Sequence, residues 1–225
     1  MTQLTEKWKL LASMKVGLTQ RVDFKEDISE YRDALDQRWI IFLESIGMIP
    51  ILIPNRLKNI DEWLNLMKCE AYILTGGNDL DGLENAINVS LERDKTELAV
   101  LEYAKKFTLP VLGVCRGFQI MNIYFDGKLE RISDHVAQPH MIRTRFDKSE
   151  NFKSRIVNSY HNWGISKKNL AIELSPWAYD EQNNIEAAIH EKINWLGIMW
   201  HPEREDEFDN FDIDLIQRLF DKELV

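Results

Sequence analysis

The chain of 225 residues contains only two cysteines, Cys69 and Cys115, too few for a disulfide framework. It has no apolar run approaching the roughly 18 residues that a membrane-spanning helix needs. The first residues do not resemble a secretory signal, because two lysines interrupt their apolar positions. These absences predict a cytoplasmic protein with reduced thiols and no membrane association.

Positive charge is also scarce, with 28 lysines and arginines against 37 acidic residues and a formal net charge of −9. Such a surface repels phosphate backbones, so nucleic acid is a poor candidate as a partner. Hydrophobic residues make up 44% of the chain, an ordinary share for a globular protein that buries a core. A small molecule therefore remains the best candidate for a ligand, and a homodimer stays open.

Short apolar strands alternate with amphipathic helices along the chain, without repeats or Gly/Ser linkers. This pattern predicts an α/β fold with an open, mostly parallel sheet, helices on both faces and a strand-rich second half. We interpret residues 14–225 as a single domain and residues 1–13 as an N-terminal extension. Predicted helices include Tyr31–Ile46, Ile60–Met67 with Asn59 as its N-cap, and Asn210–Phe220.

The segment around Cys115 predicts a nucleophile. The apolar strand Pro110–Val114 ends at Cys115, Gly113 and Gly117 flank it, and a helix is predicted to follow. A nucleophile elbow has this layout, here with cysteine in place of serine. The glycines allow the close backbone approach of a sharp turn, and the helix dipole favours the thiolate. The N–H of Arg116 then points to where an oxyanion would form.

A base follows a second apolar strand, which ends in His201-Pro202-Glu203. Residues two apart in an extended chain point to the same side, so the imidazole of His201 can meet the carboxylate of Glu203. A thiolate needs an imidazole partner, and the imidazole needs an acceptor that fixes its tautomer. Gly76 and Gly77, at the end of a third strand, would let a backbone N–H approach a substrate.

Together these residues resemble the class I glutamine amidotransferase-like superfamily, and within it the γ-glutamyl hydrolases related to γ-glutamyl-γ-aminobutyrate hydrolase. The resemblance runs along nearly the whole chain. It is carried by five motifs, which are Val16-Gly17-Leu18-Thr19-Gln20-Arg21, Thr75-Gly76-Gly77-Asn78-Asp79 with Arg93-Asp94, Cys115-Arg116-Gly117-Phe118-Gln119, Asn158-Ser159-Tyr160-His161 and His201-Pro202-Glu203.

The resemblance implies a flavodoxin-like sheet and a role for each matching residue. Cys115 would be the nucleophile, His201 the general acid and base, and Glu203 its orienting carboxylate. The N–H groups of Gly77 and Arg116 would form the oxyanion hole. The implied substrate-binding residues are Gly76, Asn78, Gln119, Asn158, Ser159, Tyr160 and His161. No cofactor and no metal are implied.

The implied activity is hydrolysis of a C–N bond in a linear amide, through a thioester on Cys115, with release of glutamate from a small γ-glutamyl compound. Asn78-Asp79-Leu80, Asn162-Trp163 and Met199-Trp200-His201 also resemble a compact subgroup that acts on a γ-glutamyl-linked cytidine diphosphate amidate. The leaving group, amine or nucleotide amidate, stays open.

Two other interpretations remain. The chain could be the glutaminase subunit of a two-component amidotransferase that passes ammonia to a synthase partner, or a non-catalytic binding protein that kept the fold. His135 and His140 have no assigned role, although with Asp134 they leave a metal site open.

Overall fold

The computed structural model describes residues 14–133, 135–145 and 153–224. The predicted extension over residues 1–13 lies outside these ranges. Within them, no helix has both the length and the apolar character needed to cross a membrane.

Nine of the described strands form one mixed sheet in the order β4-β1-β5-β6-β13-β12-β11-β8-β9. In this order, the neighbouring strands from β4 to β13 pair in parallel, and those from β13 to β9 pair antiparallel. Two small pairs, β2 with β3 and β7 with β10, lie outside it. The strands are β1 Lys15–Leu18, β2 Arg21–Lys25, β3 Glu30–Ala34, β4 Ile49–Leu52, β5 Ala71–Leu74, β6 Val111–Val114, β7 Glu130–Arg131, β8 His140–Thr144, β9 Lys153–Val157, β10 Trp163–Gly164, β11 Leu174–Tyr179, β12 Ile185–His190 and β13 Trp195–Ile198.

Helices cover both faces of this sheet. They are α1 Arg38–Ser45, α2 Ile60–Met67, α3 Leu91–Phe107, α4 Arg116–Tyr124 and α5 Asn210–Phe220. The strand β5 shows how the faces divide, because Ala71 and Ile73 pack in the core cluster with α1 and α5. Tyr72 and Leu74 point the other way, into the cluster with α2, α3 and α4. The predicted α/β fold with a largely parallel sheet and a strand-rich second half is confirmed.

Side-chain caps fix where several helices begin. Asn59 accepts a hydrogen bond from the Glu62 N–H at 3.2 Å, so the predicted N-cap of α2 is confirmed. Ser90 caps α3 in the same way through the Arg93 N–H. Asp209 caps α5, whose predicted bounds are also those observed. Each cap satisfies one N–H that the first turn leaves without a partner in the helix.

The predicted helix over Tyr31–Ile46 is wrong in its first part. Glu30–Ala34 is strand β3, which pairs antiparallel with Arg21–Lys25 in a hairpin. Only Arg38–Ser45 is helical, and Trp39, Phe42 and Leu43 are its buried residues. The side chain of Tyr31, at the start of the predicted helix, is 65% exposed and packs on Phe24 across the hairpin. Strand pairing decided the local structure here, which helical spacing alone cannot reveal.

The parallel strands bring the site together. Strands β1, β5, β6 and β13 run in the same direction, so their carboxyl ends share one edge of the sheet. Val114 pairs with Ile198, and the Cys115 N–H donates to the Ile198 carbonyl at 2.7 Å. The loops after β5, β6 and β13 therefore meet at the edge where open α/β sheets bind their ligands.

Candidate active site

Cys115 lies at a strained turn between β6 and α4, with φ 53° and ψ −106°. This backbone conformation is unfavourable for a residue with a Cβ atom and costs of order 1–3 kcal/mol. Glycines make the turn feasible, since a Cβ on Gly117 would lie 1.9 Å from the Leu74 oxygen and one on Gly113 would lie 2.6 Å from the Gly117 oxygen. The turn places Cys115 directly before the first residue of α4, at the helix N-terminus, as the sequence predicted.

His201 follows the neighbouring strand β13, and its imidazole is near enough to the thiol of Cys115 for the sulfur to affect the His201 pKa. Its Nδ1 atom lies 2.8 Å from Glu203 Oε1, and both side chains are almost fully buried. Its Nε2 atom makes no hydrogen bond to any described residue. Because a carboxylate can only accept, Nδ1 must carry a proton, and Nε2 is left to exchange a proton with the sulfur or a substrate.

Electrostatics favour a protonated imidazole. Burial on its own lowers the pKa of His201, but the Glu203 carboxylate and the Cys115 sulfur outweigh it and raise the pKa to about 9. Cys69 differs, because burial raises its pKa to about 11 and the nearby Lys15 opposes this only in part. The two thiols are thus chemically distinct, and only Cys115 has an imidazole as a partner.

The loop after β5 supplies the third side of the site. A Cβ on Gly76 would lie 2.6 Å from His201 Cε1, so this glycine makes room for the imidazole. Gly77 has φ +106°, a conformation that favours glycine. Gly77 borders the cavity of Cys115 as well as the crevice of His201. Its position suits an N–H that approaches a substrate, alongside the Arg116 N–H in the first turn of α4.

The side chain of Arg116 turns away from the cavity into a buried ionic network. Its guanidinium pairs with Asp94 and Glu97 on α3. Glu97 also pairs with Arg93 at 3.0 Å and accepts from the Thr19 hydroxyl at 2.7 Å. Arg93, in turn, donates to the Thr75 carbonyl at 2.6 Å. The network thereby joins the elbow to the Gly76-Gly77 loop.

A cavity of about 160 Å³ opens in front of Cys115. It is smaller than the roughly 300–1,000 Å³ typical of pockets for drug-sized ligands and suits a group the size of an amino acid. Its lining includes seven residues singled out from the sequence, namely Gly77, Asn78, Cys115, Arg116, Gln119, Tyr160 and His161. Asn162 and Trp163, which the sequence marked as part of a resemblance, also line it.

Three residues predicted to bind substrate have other partners. The side-chain amide of Asn78 bonds to the backbone of Val22 in both directions, at 2.9 Å each, and so ties the loop to β2. Asn158 holds the backbone of His201, accepting from its N–H at 2.8 Å and donating to its carbonyl at 2.9 Å. Ser159 donates to the His135 carbonyl at 2.6 Å. Asn158 and Ser159 do not line the cavity of Cys115, so in this structure they position its walls.

The other predicted binding residues face the cavity. Gln119 donates to the Trp163 carbonyl at 2.9 Å. Tyr160 packs edge-on against the His201 ring, with ring centroids 5.6 Å apart. Burial lowers the pKa of His161 to about 4, so its imidazole is neutral at pH 7. The side chains of Gln119 and His161 thus meet at the Trp163 carbonyl, at the start of β10.

Residues 16–203 match the family model for peptidase C26. The chain belongs to the peptidase C26 family. It is 32% identical over 203 residues to the γ-glutamyl-CDP-amidate hydrolase of Campylobacter jejuni, covering 89% of this chain and 95% of that protein. It is 26% identical over 164 residues to one subunit of the glutamine-hydrolysing GMP synthase of Pyrococcus furiosus, covering 72% of this chain and 79% of that one.

The fold is also that of known glutamine amidotransferases. A glutamine amidotransferase from Thermotoga maritima superposes with a TM-score of 0.63 at 15% identity, covering 94% of this chain and 86% of that one. At that identity the likeness concerns the fold alone. The resemblance that the sequence motifs predicted is therefore confirmed at the level of family and fold.

In this peptidase C26 chain, Glu203→Gln is expected to lower the pKa of His201 from about 9 toward its ordinary value of 6.5. The folded-state pKa lies above the ordinary one, so the stabilisation from the charged imidazole is fully present below pH 6.5 and is lost as the pH rises through about 9. The variant should thus lose stability mainly at neutral and acidic pH. NMR titration of the His201 ring and urea unfolding at several pH values measure both effects.

The exposed Glu207→Gln variant is the matched control and should leave the His201 titration unchanged. A His201 pKa that stays near 9 in Glu203→Gln would contradict the role of the carboxylate.

Proposed function

We propose that this protein is a cysteine-dependent hydrolase that cleaves the amide bond on the γ-carboxyl of a small γ-glutamyl compound. The observation that carries the proposal is the strained Cys115 beside the buried His201–Glu203 pair, at the head of an amino-acid-sized cavity. No metal or cofactor is needed for the steps below. The proposed site consists of Cys115, His201 and Glu203 with the N–H groups of Gly77 and Arg116.

The steps follow from the positions of these groups. The Cys115 thiolate attacks the γ-carbonyl carbon, and the oxygen gains negative charge opposite the two N–H groups. The C–N bond breaks as the His201 imidazolium gives its proton to the leaving nitrogen. A water molecule then attacks the thioester, with neutral His201 taking its proton, and the C–S bond breaks to release glutamate. Glu203 holds the imidazole in one tautomer throughout.

A groove beside the site supports an anionic leaving group. It has a volume of about 370 Å³, is lined by Arg21–Lys25 of β2, and adjoins the site through Gly77 and Asn78. Arg21 and Lys25 offer positive charge, although Arg21 also pairs with Asp23 at 3.1 Å in a solvent-exposed ion pair. Phe24 is 48% exposed and offers an aromatic face. A nucleotide amidate fits this combination of charges and ring better than a simple amine does.

The similarity to the Campylobacter jejuni hydrolase supports the same leaving group, because it spans 95% of that protein. The similarity to part of a GMP synthase supports the second candidate, a glutaminase subunit that delivers ammonia to a synthase partner. We favour the hydrolase, since the first match is longer and closer. In this proposal the protein acts on its small-molecule substrate without a synthase partner.

The test is glutamate release from three substrates, which are a γ-glutamyl-linked cytidine diphosphate amidate, γ-glutamyl-γ-aminobutyrate and glutamine. We expect the highest kcat/KM with the nucleotide amidate. Arg21→Gln should reduce that value at least about tenfold more than it reduces the value for glutamine, since a hydrogen bond to a charged group is worth about 1.5–3 kcal/mol.

Arg32→Gln, on the other strand of the same hairpin, is the control and should affect all three substrates equally. If the protein released glutamate from none of the three substrates, the proposal would be overturned. Strong activation of glutamine turnover by a candidate synthase would favour the glutaminase subunit instead.

A further inference from the structure

A buried acidic residue near the active site lacks hydrogen-bonding partners. Glu186, on β12, is 1% exposed, and neither of its carboxylate oxygens accepts a hydrogen bond from any described residue. Three imidazole nitrogens surround it. His140 Nε2 lies 3.4 Å from Oε2, and His161 Nε2 and His135 Nε2 lie 3.8 and 3.9 Å from Oε1. A buried carboxylate in this state is costly unless something neutralises it.

In two of these rings, the Nδ1 atom is held by a backbone carbonyl. His135 Nδ1 lies 2.7 Å from the Ser133 carbonyl, and His161 Nδ1 lies 3.1 Å from the Trp163 carbonyl. A carbonyl oxygen can only accept, so each Nδ1 carries the proton. Each Nε2 then faces an acidic group of the cluster. That of His161 lies 3.8 Å from Glu186 Oε1, and that of His135 lies 3.0 Å from Asp180 Oδ2, where it carries a second proton unless a metal cation takes the proton's place. Metal-binding histidines are oriented in this way, with one N–H held by the backbone and the other nitrogen free for the ion.

The spacing suits a small cation. Bonds of about 2.0–2.1 Å to nitrogen and oxygen in a tetrahedral site separate neighbouring ligand atoms by roughly 3.3–3.5 Å. The ligand atoms of His135, His140 and Glu186 all lie within 4.8 Å of one another. Asp180 adds a second buried carboxylate, 3.0 Å from His135 Nε2. With neutral imidazoles the cluster would hold two negative charges, which a divalent cation balances.

We propose that His135, His140 and Glu186 bind a divalent transition metal of the zinc class, with His161 as the fourth ligand. Imidazole and carboxylate are the ligands that zinc takes in tetrahedral sites. Asp134, which the sequence grouped with the two histidines, lies outside the described residues. The proposal departs from the expectation that this chain holds no metal.

The site would fix one wall of the substrate cavity. His161 lines that cavity together with Tyr160 and Trp163. The backbone N–H of His161 also donates to the His135 carbonyl at 3.2 Å, and the hydroxyl of Ser159 donates to the same oxygen. A metal that joins His161 to β8 and β12 would thus hold the 158–163 segment in place. Its role is structural, since the reacting groups lie on Cys115 and His201.

Metal content and zinc affinity test the proposal on the full-length, tag-free protein. We expect about one zinc ion per chain by elemental analysis after expression with zinc, and Zn–N distances of about 2.0–2.1 Å by X-ray absorption. After chelator treatment, zinc at about 100 times its Kd should raise Tm by roughly 5 °C or more. Cys115→Ala should bind zinc as the wild type does, which separates this site from the active-site thiol.

Glu186→Gln should weaken zinc binding at least about 100-fold, since even residues that only orient the ligands contribute 10–100-fold. His190→Gln, which changes a histidine outside the cluster, should bind as the wild type does. A wild-type chain that takes up no stoichiometric zinc would overturn the proposal. So would unchanged affinity in Glu186→Gln, or in His140→Asn if the first variant does not fold.

Discussion

Replacing Cys115 with alanine is expected to lower kcat for γ-glutamyl amides by roughly 10⁴–10⁶-fold, the range seen when a covalent nucleophile is removed. Cys115 is the only thiol among the residues that line the described cavity. Glutamate release by coupled assay measures the loss. KM should change little, because the cavity walls remain.

The substitution keeps a Cβ at the strained turn, so the backbone cost at φ 53° is the same in both proteins. The unfolding midpoint of Cys115→Ala should therefore fall only by the share of the His201 stabilisation that the sulfur supplies, since Glu203 still raises the His201 pKa. Cys69→Ala is the matched control, because it removes the other buried thiol and should keep full activity. A thiol-directed glutamine analogue should label Cys115 much faster than Cys69. Substantial activity in Cys115→Ala would disprove the thioester mechanism.

The sequence was sufficient for the parts of the site where backbone geometry follows from residue type. Gly113 and Gly117 predicted the elbow, and the structure shows why each is required, since a Cβ there would meet backbone oxygen. The two-residue spacing of His201 and Glu203 predicted their contact, which is 2.8 Å in the structure. Their meeting with Cys115 depended on the order of parallel strands, which the family resemblance implied and local patterns could not.

What the sequence missed depends on side-chain directions across elements distant in the chain. Arg93 and Glu97 are spaced for a helical ion pair, but nothing local shows that Arg116 joins them. Glu186 lies in a strand buried along its whole length, with no sequence sign that three histidines surround it. Asn158 matched a binding motif, yet it holds the His201 backbone instead. Contacts of this kind follow from tertiary packing and need coordinates.

Arg116→Ala is expected to destabilise the folded protein by about 3–5 kcal/mol, because the fully buried Glu97 loses one of its two cations and the partly buried Asp94 loses its ion pair. Glu97 is fully buried and, among the residues that the structure describes, would keep Arg93 and the Thr19 hydroxyl as partners. The free energy of unfolding of a native protein is typically about 5–15 kcal/mol, so this loss is a large part of the total. Urea unfolding gives the free energy, and Tm should fall by roughly 10 °C.

The control is Arg32→Ala, which removes an exposed ion pair with Glu30 and should cost less than about 1 kcal/mol. Arg116→Ala also separates the two functions of position 116. Its N–H remains at the start of α4, so protein that stays folded at low temperature should keep kcat within about tenfold, whereas loss of an oxyanion-hole donor costs about 10²–10³-fold. A stable variant with much lower kcat would instead place the guanidinium in contact with the substrate, because only a direct role could then explain the loss.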